Sequence, residues 1–124
     1  MTDKFLNGQS WRVGCHATEP VTGRVAIVRS QVDLDKVDKG DILVAQQTDV
    51  NYTPQMLDAV AVITVEGGRY SHAATFSREN SIPCLIGVVG ILDELNDGDI
   101  ITVDTHAKTI TVAAPNSIGG MIQQ

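Results

Sequence analysis

Cys15 and Cys84 are the only cysteines in the chain, too few for a disulfide framework. Basic residues are also in short supply. Nine Lys and Arg stand against fifteen Asp and Glu, a net charge of −6 with a pI near 4.8. That balance argues against broad electrostatic binding to nucleic acid or to an anionic membrane surface. No apolar run reaches the roughly 18 residues of a membrane-spanning helix. The opening Met1-Thr2-Asp3-Lys4-Phe5 lacks the basic-then-apolar order of a signal peptide, so cytoplasmic residence is the expectation. There is no Gly-x-x-x-x-Gly-Lys-Ser/Thr phosphate loop, no internal repeat and no low-complexity segment. Gly14-Cys15-His16-Ala17 invites a metal reading, but no second pair at ligand spacing accompanies it, and no metal site is assigned.

The remaining composition is that of an ordinary soluble domain, 43% hydrophobic and 19% charged over 124 residues, enough for a single core. Met1 to Val21 has no clear period and reads as a loop leading to the first strand. Gly23 to Val28 reads as that strand, with Val25 and Ile27 on one face. Asp33 to Val37 is a helical turn with Leu34 and Val37 on one side. Asp38-Lys39-Gly40-Asp41 is a turn, and Ile42 to Ala45 a short buried strand. Thr53 and Pro54 read as N-cap and first residue of a short helix that turns Met56 or Leu57 inward. Ala59 to Val65 is the most convincing interior strand. Cys84 to Val89 is another, and Cys84 reads as a core thiol. Ile91 to Leu95 is a helical turn, and Asn96-Asp97-Gly98-Asp99 a strong turn. Ile100 to Val103 and Thr109 to Val112 form a hairpin with His106 exposed in its turn. Residues 113–124 read as a loose tail. Strands and short helices mix, so the class is α/β or α+β.

The chemistry concentrates in Val65-Glu66-Gly67-Gly68-Arg69-Tyr70-Ser71-His72-Ala73-Ala74. The glycines permit a tight bend between strand and helix. Ser71 is a plausible N-cap, which puts His72 in the first helical turn. An imidazole there faces unpaired backbone N–H groups and the positive end of the helix dipole. That setting favours a neutral ring nitrogen and an anion attached to it. The reaction type is nucleophilic, with His72 accepting a phosphoryl group and passing it on. Local sequence alone also accommodates a surface or capping histidine. Helical spacing sets His72 over Phe76 and Glu79 rather than over Arg78. Glu79 reads as a solvated carboxylate and Arg78 as half of a structural ion pair. Arg69 is either an exposed loop charge or the group that neutralises a phosphoryl group.

Gly67 to Ala74, followed by Arg78-Glu79, Ile82-Pro83 and Gly87, resembles the signature of the phosphoenolpyruvate-utilising enzymes. More closely, it is similar to their swivelling, or mobile, phosphohistidine domain, as in pyruvate phosphate dikinase, phosphoenolpyruvate synthase and enzyme I of the sugar phosphotransferase system. Gly40 to Val44 with Thr48, and Asp97 to Asp104, extend the likeness over about residues 23–112. The resemblance implies one mobile domain over 1–124, built as a β/β/α layered sandwich. It implies His72 as the phosphorylated residue, with Gly67, Gly68, Arg69, Ser71 and Thr48 around the phosphoryl group; Thr48 by itself is equally a turn residue. Departures stand at Val50, where many members place proline, and at Ser81, where glycine is more usual. A third is Tyr70, where plant-type dikinases carry a regulatory threonine, so no such regulation is carried over. The chain is too short for the ATP-grasp domain or the phosphoenolpyruvate-binding barrel. The expected function is a phosphohistidine carrier serving ATP-binding or barrel subunits, with Mg2+ on those partners and no cofactor on this chain. The alternative is a non-catalytic binding or regulatory module on the same scaffold.

Overall fold

The computed structural model describes residues 20–67, 70–105, 107 and 109–114, together with the backbone of a short strand at 11–13. Seven strands form one curled sheet in the order β1-β5-β4-β3-β2-β6-β7. Its centre is β2 (Val21–Val28), which serves two partners. Val25 to Val28 pair in parallel with β3 (Ile42–Ala45), whereas Val21 to Arg24 pair antiparallel with β6 (Ile100–Asp104). Burial follows this division. The first half of β2 alternates between half-buried and exposed, and the second half is buried throughout. That is the difference between a strand with one wet face and one covered on both.

β3, β4 (Ala61–Thr64) and β5 (Cys84–Ile86) continue the parallel set, and every residue in them is buried. Three crossovers cover one face of this set. They are a 3₁₀ turn at Gln31–Lys36; a second 3₁₀ turn, Val50–Tyr52, running into α1 (Thr53–Asp58); and α2 (His72–Glu79). Leu34, Val37, Tyr52, Met56, Ala73 and Ala74 from these segments pack on Ala26, Val28, Leu43, Val62 and Cys84. The opposite face carries Val25, Ile27, Ile42, Val44 and Ile63, packed on Ile101, Val103, Ile110 and Val112 of the β6–β7 hairpin, with β7 at Thr109–Ala114. Ile91 of α3 (Ile91–Glu94) joins this second cluster. The result is a β/β/α layered sandwich, as expected.

Polar clamps fix the layers. Asp41, 5% exposed, receives Arg24 through Nε at 3.3 Å and Nη2 at 2.9 Å, and the Asp38 N–H at 2.9 Å. Hydrogen bonding from Asp41, then its charge, raise the Arg24 pKa. The Asp97–Asp99 turn grips β2 from the other side. The Asp97 carboxylate accepts from Ile27 N–H at 2.7 Å, and the Asp99 carbonyl from Val25 N–H at 2.8 Å. Gly23 cannot carry a side chain here, because a Cβ would lie 2.8 Å from the Gly40 carbonyl oxygen.

Several local expectations change. β1 (Trp11–Val13), antiparallel to β5, lies in the segment read as a loop. Three residues set between glycines are too short to show a period. The helical turn at 33–37 is 3₁₀ and starts at Gln31. Thr53 is inside α1 rather than its cap: Asp49 caps the preceding 3₁₀ turn by accepting the Asn51 N–H at 2.8 Å, and the turn runs straight into the helix. Met56 is the inward residue, and Leu57 is 56% exposed. β5 stops at Ile86, where Gly87 takes a positive φ of 72°. β7 extends through Ala114, into the segment read as tail. Cys15, His16 and His106 lie outside the described residues. Among the described residues, no helix is long and apolar enough to cross a membrane.

Candidate functional site

The site forms where the carboxyl ends of β3 and β4 meet the start of α2. Past both strand ends the ladder continues: Val65 N–H donates to Ala45 O at 3.1 Å, and Glu66 N–H to Gln46 O at 2.9 Å. Gln46 Nε2 also donates to the Glu66 carboxylate. The two loops therefore leave the sheet as a pair, which brings Thr48 to the helix that follows β4.

The bend itself is tightly determined. The Thr64 hydroxyl donates to Glu66 O at 2.7 Å, and Gly67 takes a φ of 126°. A Cβ on Gly67 would lie 3.0 Å from Ser71 Oγ and 3.2 Å from Ser71 Cβ, so both the backbone angle and the close approach require glycine. Ser71 is extended (φ −67°, ψ 163°), and its Oγ accepts the Ala74 N–H at 3.2 Å. That is an N-cap, and it makes His72 the first residue of α2. The amides of His72 and Ala73 open the helix with no intrahelical acceptor, at the positive end of its dipole.

His72 is half-buried, and its ring is held on two sides. Thr48, 9% exposed, places Oγ1 2.8 Å from His72 Nδ1. Phe76, one helical turn on, stacks against the imidazole with ring centres 5.7 Å apart and planes 15° from parallel. Among the described residues, no hydrogen-bond partner meets Nε2. Beneath the helix, the Cys84 thiol points at the Ala73 carbonyl oxygen at 3.9 Å, and complete burial pushes its pKa up to about 12. It is an inert core group rather than a nucleophile.

Of the residues singled out from the sequence, Gly67, Ser71, His72 and Thr48 are therefore brought together. Gly68 and Arg69 lie outside the described residues. Arg78 and Glu79 are exposed; among the described residues Arg78 has no ion-pair partner, contrary to the expected structural pair. Phe76 was legible as a neighbour of His72 from the four-residue spacing, though not as a stacked ring. Tyr70 is 84% exposed, Val50 73% and Val89 68%. Val50 opens the 3₁₀ turn that follows β3, and Tyr70 and Val89 stand on the segments that follow β4 and β5. No group of three His, Cys, Asp or Glu side chains that could hold a metal ion occurs among the described residues.

Residues 37–108 match the family model for the mobile domain of PEP-utilising enzymes. The chain belongs to that family. This mobile domain is 45% identical over 82 residues to the phosphoenolpyruvate synthase of Pyrococcus furiosus, covering 66% of the chain and 10% of that protein. It is 42% identical over 93 residues to YvkC, an uncharacterised phosphotransferase of Bacillus subtilis, covering 75% of the chain and 11% of that protein. The chain thus spans about a tenth of the length of these relatives, in which the mobile domain is one part of a much longer protein. Among solved structures it resembles enzyme I, with a TM-score of 0.55 and 22% identity over 73% of this chain and 37% of that one. It also resembles Thermococcus kodakaraensis aconitase X, with a TM-score of 0.61 and 17% identity over 88% of this chain and 98% of that one. At such low identity these two likenesses establish the shared fold alone.

Proposed function

We propose that this mobile domain is a phosphohistidine carrier, loaded on His72 Nε2 and unloaded onto a second partner. The observation that carries the reading is the 2.8 Å contact between Thr48 Oγ1 and His72 Nδ1. With the hydroxyl oxygen accepting the Nδ1 proton, the neutral ring is fixed in the tautomer whose lone pair lies on Nε2. That lone pair attacks the donor phosphorus. The bond from phosphorus to its leaving group breaks, and the leaving atom keeps the electron pair. Return transfer reverses these steps at the acceptor.

The remaining residues serve the phosphoryl oxygens. The free amides at the start of α2 supply donors and the favourable end of the dipole. Ser71 keeps that helix end open by capping only the Ala74 N–H. From the sequence, the absence of side chains at Gly67 and Gly68 suits close approach of a phosphate, and Arg69 is assigned the neutralising charge. Transfer from ATP or phosphoenolpyruvate also needs a divalent metal and a bound donor. We assign these, with Mg2+, to an ATP-binding or a phosphoenolpyruvate-binding barrel subunit. Val50, Tyr70 and Val89, exposed on the segments that follow β3, β4 and β5, suit such a docking event, and docking would exclude water around a labile N–P bond.

Intact-protein mass spectrometry at alkaline pH tests the reading. The protein is incubated with potassium phosphoramidate, and separately with ATP or phosphoenolpyruvate and the cognate subunit. An acid-labile phosphoryl adduct that fragmentation maps to His72, rather than to His16 or His106, and that is missing from His72→Ala is expected. An adduct of equal size on His72→Ala overturns the assignment. No adduct on the wild type under either condition favours the binding-module alternative.

A further inference from the structure

We propose that Phe76 is a positioning residue for the reactive histidine. Its ring face fixes the plane of the His72 imidazole and stabilises the positive charge that the imidazole gains when Nε2 is phosphorylated. The second half of this inference rests on the carrier reading; the first half stands without it.

The geometry argues for a dedicated contact. The rings are nearly parallel at 15°, with centres 5.7 Å apart, an offset stack rather than an edge contact. The helix makes the pairing automatic, because residues four apart share a face. Phe76 is not one of the deeply buried residues of α2. Ala73, Ala74 and Ser77 form that inner stripe, and Phe76 flanks it half-buried. A leucine or methionine would cover the same flank of the core, but neither offers a flat face to an imidazole. The chain holds only five aromatic residues, and one of them sits on this ring.

Two restraints act on the imidazole. Thr48 Oγ1 engages Nδ1, and the stacked Phe76 ring opposes rotation of the imidazole plane. With Nδ1 engaged, Nε2 is the nitrogen left without a hydrogen-bond partner among the described residues. When Nε2 bonds to phosphorus, Nδ1 keeps its proton and the ring becomes an N-phosphoimidazolium. The charge it then carries lies over the Phe76 face, a cation–π arrangement. The same contact favours loading and slows loss of the group to water.

Three variants separate the roles. Phe76→Leu and Phe76→Met remove the face and keep the apolar volume; Phe76→Tyr keeps the face. In the unphosphorylated protein, 15N shifts of the His72 ring report which nitrogen bears the proton, and the ring-proton shifts report the stacked face. The wild type and Phe76→Tyr are expected to hold the Nδ1–H tautomer with upfield-shifted ring protons. Phe76→Leu and Phe76→Met should lose the upfield shift and mix the tautomers. With potassium phosphoramidate, loading of His72 should fall about two- to five-fold in Phe76→Leu and Phe76→Met, and return in Phe76→Tyr. If Phe76→Leu fails to fold, Phe76→Met carries the comparison. Wild-type tautomer ratios and loading rates in Phe76→Met overturn the proposal while leaving the carrier reading intact. A wild type that takes no phosphoryl group overturns the carrier reading, and with it the charge-stabilising role. The NMR comparison then decides the positioning role by itself.

Discussion

Ser81→Gly should stabilise this protein, and the reason lies in how α2 ends. Asn80 N–H donates to Phe76 O at 3.0 Å, and Ile82 N–H reaches back to Ser77 O at 2.9 Å. This is the six-to-one closure of a Schellman motif, which needs a left-handed residue directly after the cap. Ser81 occupies that position with a φ of 56°, the sole non-glycine residue with positive φ among the described residues. An L-residue in that region costs roughly 1–2 kcal/mol. Glycine removes the cost but enlarges the entropy of the unfolded chain, which takes back about 0.4–1 kcal/mol. The net gain is about 0.5–1 kcal/mol, or a Tm rise of roughly 2–5 °C for a chain of this size. Ser81 is exposed, so no packing is lost. Thermal and urea melts followed by circular dichroism provide the measurement, with Ser81→Ala as control. Alanine keeps the steric cost, so its stability should equal or fall below that of the wild type. A lower Tm for Ser81→Gly, or a higher one for Ser81→Ala, would refute the argument. Phosphoryl loading should be unchanged by either substitution, because the perturbation lies at the far end of the helix from His72.

Thr48→Val should slow loading of His72 by roughly ten-fold, the usual scale for one well-placed hydrogen bond to a reacting group, and Thr48→Ser should largely restore it; single-turnover loading is the measurement. Met56, wholly buried between α1 and the sheet, should cost about 2–5 kcal/mol when replaced by Ala, read from the urea midpoint. Cys84 supplies a pH dependence. Burial pushes its thiol up to about 12, whereas an unfolded cysteine ionises near 8.5. Its contribution is therefore complete below about pH 8.5 and lost as the pH rises toward 12, at about 1.4 kcal/mol per pH unit. Tyr52, whose pKa burial also raises, acts in the same direction, so the slope difference between the wild type and Cys84→Ala isolates the thiol.

The parts of the fold visible in the sequence were those fixed by local patterns. Ile42 to Ala45 and Ala61 to Ile63 are unbroken apolar runs, which suit a strand covered on both faces. Ser71 before an apolar helical stripe marked the start of α2, and Asn96 to Asp99 marked the turn before the hairpin. What escaped was set by tertiary contact. Nothing local shows that β2 changes partner halfway, since both halves suit a strand. The Thr48–His72 contact joins residues 24 apart through paired loops, and Thr48 entered the site through family likeness rather than spacing. The cap at Thr53 was misread because Asp49 starts the turn earlier, and a 3₁₀ turn passing into a helix leaves no break in the pattern.

The divided pairing of β2 has a mechanical consequence. Peeling the β6–β7 hairpin away would strip the amides and carbonyls along Val21 to Arg24 while the other end of the same strand stayed docked on β3. Peeling would also uncover the Val25 and Ile27 face that packs on the hairpin, so both layers are expected to melt in one step, with the slowest amide-proton exchange along this shared rod. Force applied to either layer would then be carried through one rod into the other, and the domain would move as a rigid body.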